Sequence, residues 1–146
     1  MENETNRENY LKNVLSLAFL GDSVFTLMVR SYLVGGCNQK PNGLNKRANA
    51  VVCAKGQAEI MNLIKAELNQ EEQDIVNRTR NSHLNSKAKN STLAEYSLAT
   101  QFEALVGFWY LNKEQDKLNN MFEKYVKEKL WLLMEQMWLR NCLTQM

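Results

Sequence analysis

Two acidic side chains stand in apolar company: Asp22 within Leu17-Ala18-Phe19-Leu20-Gly21-Asp22-Ser23-Val24-Phe25, and Glu103 within Phe102-Glu103-Ala104-Leu105-Val106-Gly107. Taking an ionised carboxylate out of water is costly unless a partner charge or a metal offsets it. No basic residue lies within one helical turn of either acid; the nearest are Arg30, two turns beyond Asp22, and Lys113, nearly three turns beyond Glu103. Each acid is also close to a glycine, Gly21 or Gly107, although glycine inside a helix costs about 1 kcal/mol relative to alanine. The pattern points to a hard divalent cation held between Asp22 and Glu103, with the missing side chains leaving room for water or a phosphate. Mg2+ at about 2.0–2.1 Å from each ligand would set the two ligating oxygens roughly 3 Å apart, and Mn2+ is a possible substitute. Such an ion acidifies a bound water and neutralises charge on phosphoryl oxygens, so no side-chain base is obligatory.

Helices must carry both acids. Apolar spacing predicts a long core helix over Tyr10 to Val34, ended by Gly35-Gly36. Asn38 to Gly43 reads as a loop, Leu44 to Val52 as a short helix, and Ala54 to Leu68 as an amphipathic helix with Ala58, Met61, Ile64 and Leu68 inward. Asn69 with Glu72 three places on is a capping-box variant that opens a helix to about Arg80. Asn81 to Ser91, rich in Asn, Ser and Lys, reads as a mobile surface loop. Thr92 and Glu95 form a second capping box, opening the Glu103 helix that lasts to Leu111. Asn112 resembles a third cap before a final helix over about 114–140. Its end, from Leu130 to Leu139, is apolar almost all round and so is expected to be buried on more than one side, against its own domain or a second subunit. The expected fold is all-α, a helical bundle in one domain spanning 1–146, with its core over about 10–112.

With 45% hydrophobic residues, one proline and six glycines, the composition favours long helices over a many-turned β architecture. The polar N-terminus is not a signal peptide, and no apolar run approaches the roughly 18–20 residues of a membrane span. Cys37, Cys53 and Cys142 show no CxxC spacing, against a disulfide framework or a zinc site, so a reduced, cytoplasmic protein is expected. The net charge of +2 is unevenly spread. Arg30, Lys40, Lys46, Arg47 and Lys55 lie in an acid-free stretch, as do Arg78, Arg80, Lys87 and Lys89, and the segment between them is acidic. If the two basic stretches share a face, that face attracts a polyanion. Lys55 and Gln57 begin a helix, where free N–H groups suit a phosphate or 2′-hydroxyl. His83, the single histidine, is expected in solvent rather than at the chemistry.

These stretches resemble the ribonuclease III catalytic domain, and more closely its stand-alone Mini-ribonuclease III branch. The likeness rests on Leu17-x-Phe19-Leu20-Gly21-Asp22-Ser23-Val24 and Phe102-Glu103-Ala104-Leu105-Val106-Gly107. It extends to Lys40-Pro41-Asn42-x-Leu44, Ala54-Lys55-x-Gln57-Ala58, Arg78-x-Arg80-Asn81, Lys89-Asn90 and Tyr96-Ser97-x-Ala99-Thr100, in order over about residues 11–112. The resemblance implies a ribonuclease III-like helical fold and a metal-dependent endoribonuclease of double-stranded RNA. It also implies a homodimer formed around the signature helix, burying residues such as Phe19 or Phe25, each subunit cutting one strand. Its natural substrate class would be the precursor of large-subunit (23S) ribosomal RNA, alone or with a bound ribosomal protein. Asp22 and Glu103 would be catalytic metal ligands, and Lys55, Gln57, Arg78, Arg80, Asn81, Lys87 and Lys89 would contact RNA. Ala18 and Thr100 replace acids usual in full-length ribonuclease III, as they do in the Mini branch, which thins the acidic cluster. Thr79 and Ala88 depart from the glycine and proline usual in that branch. The competing class is a non-catalytic RNA- or ribosome-binding dimer on the same fold, which would have no reason to keep both acids.

Overall fold

The structure is a computed structural model and describes residues 1–36, 38–82 and 92–145. Every regular element among them is helical: α1 (Glu2–Leu11), α2 (Val14–Gly36), α3 (Pro41–Val52), α4 (Ala54–Ile64), α5 (Gln70–Asn81), α6 (Leu93–Leu111), α7 (Gln115–Met121) and α8 (Lys127–Thr144), with a 3-10 turn at Lys65–Glu67 and a π turn at Phe122–Val126. The all-α expectation holds.

α2 and α6 form the centre, and α4 and α5 pack against α6. Leu17, Phe25, Val29 and Leu33 of α2 meet Phe102, Leu105, Val106 and Phe108 of α6 in one core. Phe25 and Phe102 stack edge to face, 4.8 Å between ring centres and 87° between planes. α4 contributes Ala58, Met61 and Ile64, with Leu68 just beyond it, as the periodicity predicts.

Several boundaries differ from the sequence reading. The helix expected over Tyr10–Val34 is two helices, because Lys12 is extended and Asn13 caps α2 by accepting the Leu15 N–H at 2.9 Å. α1 is mostly polar and is tied down by hydrogen bonds instead of core burial. Asn9 Nδ2 donates to Asn112 Oδ1 at 2.9 Å, the Tyr10 hydroxyl donates to Asp74 at 2.8 Å, and the Arg78 guanidinium donates to the Tyr10 carbonyl. α3 begins at Pro41, not after Gly43, since proline suits the first helical position, where no N–H is needed. Asn69 caps α5 as expected, but the Glu72 carboxylate, almost fully buried, takes Lys117 of α7 as partner. The Thr92–Glu95 capping box is complete. Asn112 ends α6 instead of starting the next helix, and Glu114 is the residue before α7.

Between α7 and α8 the buried side runs Leu118, Phe122, Val126, Leu130, at steps of four. That spacing exceeds the 3.6-residue period, and the wider π turn keeps all four on one face. Beyond it the segment is not buried against its own domain: Trp131, Leu132, Trp138 and Leu139 are exposed, which leaves the other expected cover, a second subunit, as the one of the two alternatives still open. Leu130 and the half-buried Met134 already cover the inner face, and nothing within the described residues lies over the outer one. The expectation that no run reaches membrane-span length is also corrected: α2, at 23 residues, is long and apolar enough by composition alone, although its inner side is occupied by α6.

Candidate metal and RNA site

The two acids meet because two helices touch backbone to backbone. A Cβ built on Gly21 would lie 1.7 Å from the Glu103 carbonyl oxygen, and one on Gly107 would lie 2.0 Å from that of Leu17. The glycines therefore do not clear space for water or phosphate, as the sequence suggested; that space is filled by the facing helix. The crossing is what sets Asp22, next to Gly21, against Glu103.

Their environments differ. Asp22 is exposed, not core-facing: the buried positions Leu17, Ala18, Gly21, Val24 and Phe25 leave it on the flank of α2. Apolar neighbours in sequence are not apolar neighbours in space when the helix turns about 100° per residue. Glu103 is half-buried, and burial together with the Asp22 charge pushes its pKa up from 4.5 to about 7. The Gln57 amide opposes that rise by favouring the charged form. Among the described residues no ion pair reaches either acid.

No group of three or more acids, histidines or cysteines converges among the described residues. Ala18 is buried, and the Thr100 hydroxyl donates to the Tyr96 carbonyl at 2.9 Å, so neither extends the pair. Two carboxylates near enough to repel one another, without a cationic side chain paired to either among the described residues, form a donor set that suits Mg2+ or Mn2+ and not a thiophilic metal.

The expected RNA contacts divide. Lys55, Arg80 and Asn81 are exposed, Lys55 in the first turn of α4 and the others at the end of α5. Arg80 donates to Asn77 at 2.9 Å. Arg78 is committed inside the chain: it pairs with Asp74 at 3.0 Å and lies over the Tyr10 ring, 4.9 Å from its centre, so its guanidinium holds α1 to α5. Arg47, counted with the first basic stretch, is buried. Gln57 is 1% exposed, so its side chain lies beneath the surface and not on the face where the sequence reading put it as an RNA contact. The signal was present, since Gln57 shares the core stripe of Ile60, Met61 and Ile64 at steps of three, four and seven. Lys87, Lys89 and His83 lie outside the described residues.

The ribonuclease III domain model matches residues 15–114, spanning α2 to α6. A Brevibacillus brevis protein named Mini-ribonuclease 3 is 39% identical over 121 residues, 83% of this chain and 90% of that protein. Proteins of the same name from Staphylococcus aureus and from a Thermoanaerobacter species are 34% identical over 86% of this chain and 96% of theirs, and 42% identical over 77% and 80%. A crystal structure of a Fusobacterium nucleatum protein superposes with a TM-score of 0.74 at 31% identity, covering 82% of this chain and 95% of its own. By the match over α2 to α6 and the identity to these relatives, this chain belongs to the ribonuclease III family, within its Mini-ribonuclease 3 group of endoribonucleases.

Proposed function

We propose that this chain hydrolyses double-stranded RNA at the Asp22–Glu103 pair, with a divalent cation, Mg2+ or Mn2+, as cofactor. The observation that carries the reading is the Glu103 carboxyl, half-buried and held against the Asp22 charge with no cationic partner among the described residues, which pushes its pKa to about 7. Such repulsion is costly in the isolated chain and becomes an asset only when a positive charge sits between the acids. The ion, when bound, supplies an acidified water and charge neutralisation at the scissile phosphate. Asp22 would present its carboxylate from the solvent side, where RNA arrives, and Glu103 would hold the inner side of the same ion. Lys55, Arg80 and Asn81 are available to position phosphates, since A-form RNA is recognised by shape, phosphates and 2′-hydroxyls. Asp22 and Glu103 alone are too few acids for a fully protein-held two-metal site, so one shared ion completed by water is the reading they support.

The proposed assembly is a homodimer acting in the cytoplasm on a precursor of large-subunit (23S) ribosomal RNA. Phe19, 83% exposed, lies with Leu27 on the outer stripe of α2, a patch suited to a two-fold contact. Phe25 is excluded from such a contact because it is fully buried against Phe102. In sedimentation at micromolar concentration the wild type is expected to run as a dimer and Phe19→Glu as a monomer. A monomeric wild type would remove α2 as the interface.

The functional reading is tested by incubating a long structured RNA duplex with the protein, with and without Mg2+. Cleavage into duplex fragments only with the metal is expected. Binding without any cleavage would instead favour the non-catalytic RNA-binding module.

A further inference from the structure

Gln57 is the polar side chain that the proposed chemistry does not yet use. Its surroundings are built, not incidental. α4 starts where its first turn tucks against the end of α3: a Cβ on Gly56 would lie 2.7 Å from the carbonyl oxygens of both Ala50 and Val51. The Cys53 thiol accepts the Gly56 N–H at 3.4 Å, and the Cys53 carbonyl accepts the Gln57 N–H at 3.0 Å. The backbone of Gln57 is therefore fixed from both sides, and its side chain enters the space between α4 and α6, where Glu103 stands.

There the side chain is 1% exposed, and its Nε2 makes no hydrogen bond of full geometry among the described residues, yet it lies close enough to the Glu103 carboxyl to favour its charged form. Burying an amide without a partner costs stability, and a hydrophobic residue of the same size would pack the site without that cost. A fully buried amide whose near acceptor is the half-buried Glu103 carboxyl is explained if the two pair fully when that carboxylate is charged. Neutral–neutral pairing is the weaker interaction, and an amide N–H to a carboxylate is the stronger one.

We infer that Gln57 is a positioning residue for Glu103: its side-chain amide holds one carboxylate oxygen of Glu103 so that the other is presented toward Asp22 and the ion between them. The inference rests on the metal-site reading above and adds to it the group that orients the inner ligand. A residue in this place acts on affinity for the ion and on turnover, because it touches neither RNA nor the reacting phosphate. Groups that orient a metal ligand from behind typically change metal affinity or activity by about 10–100-fold when removed.

The test is Gln57→Leu, which keeps the volume and removes the amide, with Gln57→Met as a second variant should the first fold poorly. Three quantities separate the roles: the melting temperature without metal, Mn2+ affinity by calorimetry without RNA, and kcat with KM on a duplex substrate. The expected result is a melting temperature at or above wild type, Mn2+ affinity and kcat each lowered about 10–100-fold, and KM unchanged. Wild-type Mn2+ affinity and kcat would overturn the inference, as would a rise in KM alone, which would make Gln57 an RNA contact. A lowered melting temperature with unchanged Mn2+ affinity would also overturn it, leaving a purely structural residue. Asp22→Asn run alongside tests the underlying site separately. If it binds Mn2+ and cleaves like wild type, the metal site itself is wrong; if it fails in both while Gln57→Leu is silent, only the positioning role falls.

Discussion

Asp22→Asn and Glu103→Gln are each expected to lower cleavage of duplex RNA by on the order of 10³-fold or more, because each removes one of the two ligands proposed for the ion that would carry the charge chemistry. The two variants part company in stability. With a folded-state pKa of about 7 against 4.5, the folded chain binds a proton at Glu103 more tightly than the unfolded chain does. The contribution of Glu103 to stability therefore falls as pH rises from about 4.5 through 7, and at pH 8 its ionised carboxylate costs about 3 kcal/mol in the metal-free protein. Glu103→Gln removes that cost, so above pH 7 the metal-free variant should melt higher than wild type, and the advantage should vanish near pH 4. Thermal melts at pH 4 and 8, with and without Mg2+, check this directly. A difference in melting temperature between wild type and Glu103→Gln that does not grow between those pH values would contradict the electrostatic account of the pair. Retained cleavage in either variant would contradict the ligand assignment.

The second large effect is structural. Gly21→Ala and Gly107→Ala each drive a methyl group to 1.7 Å and 2.0 Å from a carbonyl oxygen of the facing helix. The obstacle is backbone on both sides, so no rotamer change relieves it and the helices must part. Alanine gains about 1 kcal/mol of helix propensity, but the overpacking exceeds this, and a net loss of about 3 kcal/mol is expected. For a chain of this length that lowers the melting temperature by roughly 6–12 °C. Activity of the remaining folded protein should fall as well, since the atom struck by Gly21→Ala is the carbonyl of Glu103 itself. Gly35→Ala is the control, because a Cβ there meets nothing within 4 Å. Equal melting temperatures for Gly21→Ala and Gly35→Ala would show that the α2–α6 crossing is looser than described.

Much of the architecture is set by local chemistry and is legible in the chain. The Thr92–Glu95 capping box, the Asn69 cap and the Ala58-Met61-Ile64 stripe each depend on residues within a few positions of one another, and each forms where the pattern places it. The motifs around Asp22 and Glu103 likewise identify the family, since their order and spacing are properties of the sequence. Other boundaries depend on competition. The break at Lys12–Asn13 sits in a region where helical periodicity continues across it, and the Asn13 cap prevails over that periodicity.

Which side of a helix faces what was decided only in three dimensions. Asp22 and Glu103 look equivalent in sequence, yet one is exposed and the other half-buried, because burial depends on which helix lies opposite and not on neighbours in the chain. Arg78 and Arg80 read as one basic pair, but a two-residue step turns them about 200° apart on α5. One therefore meets Asp74 and Tyr10 and the other meets solvent. Gly21 and Gly107 announce that space is needed, and only the packed structure shows that a helix backbone, not a ligand, takes it. The exposed tryptophans of α8 make the same point: hydrophobicity fixes what a helix can bury, while the count of neighbouring faces fixes what it does bury.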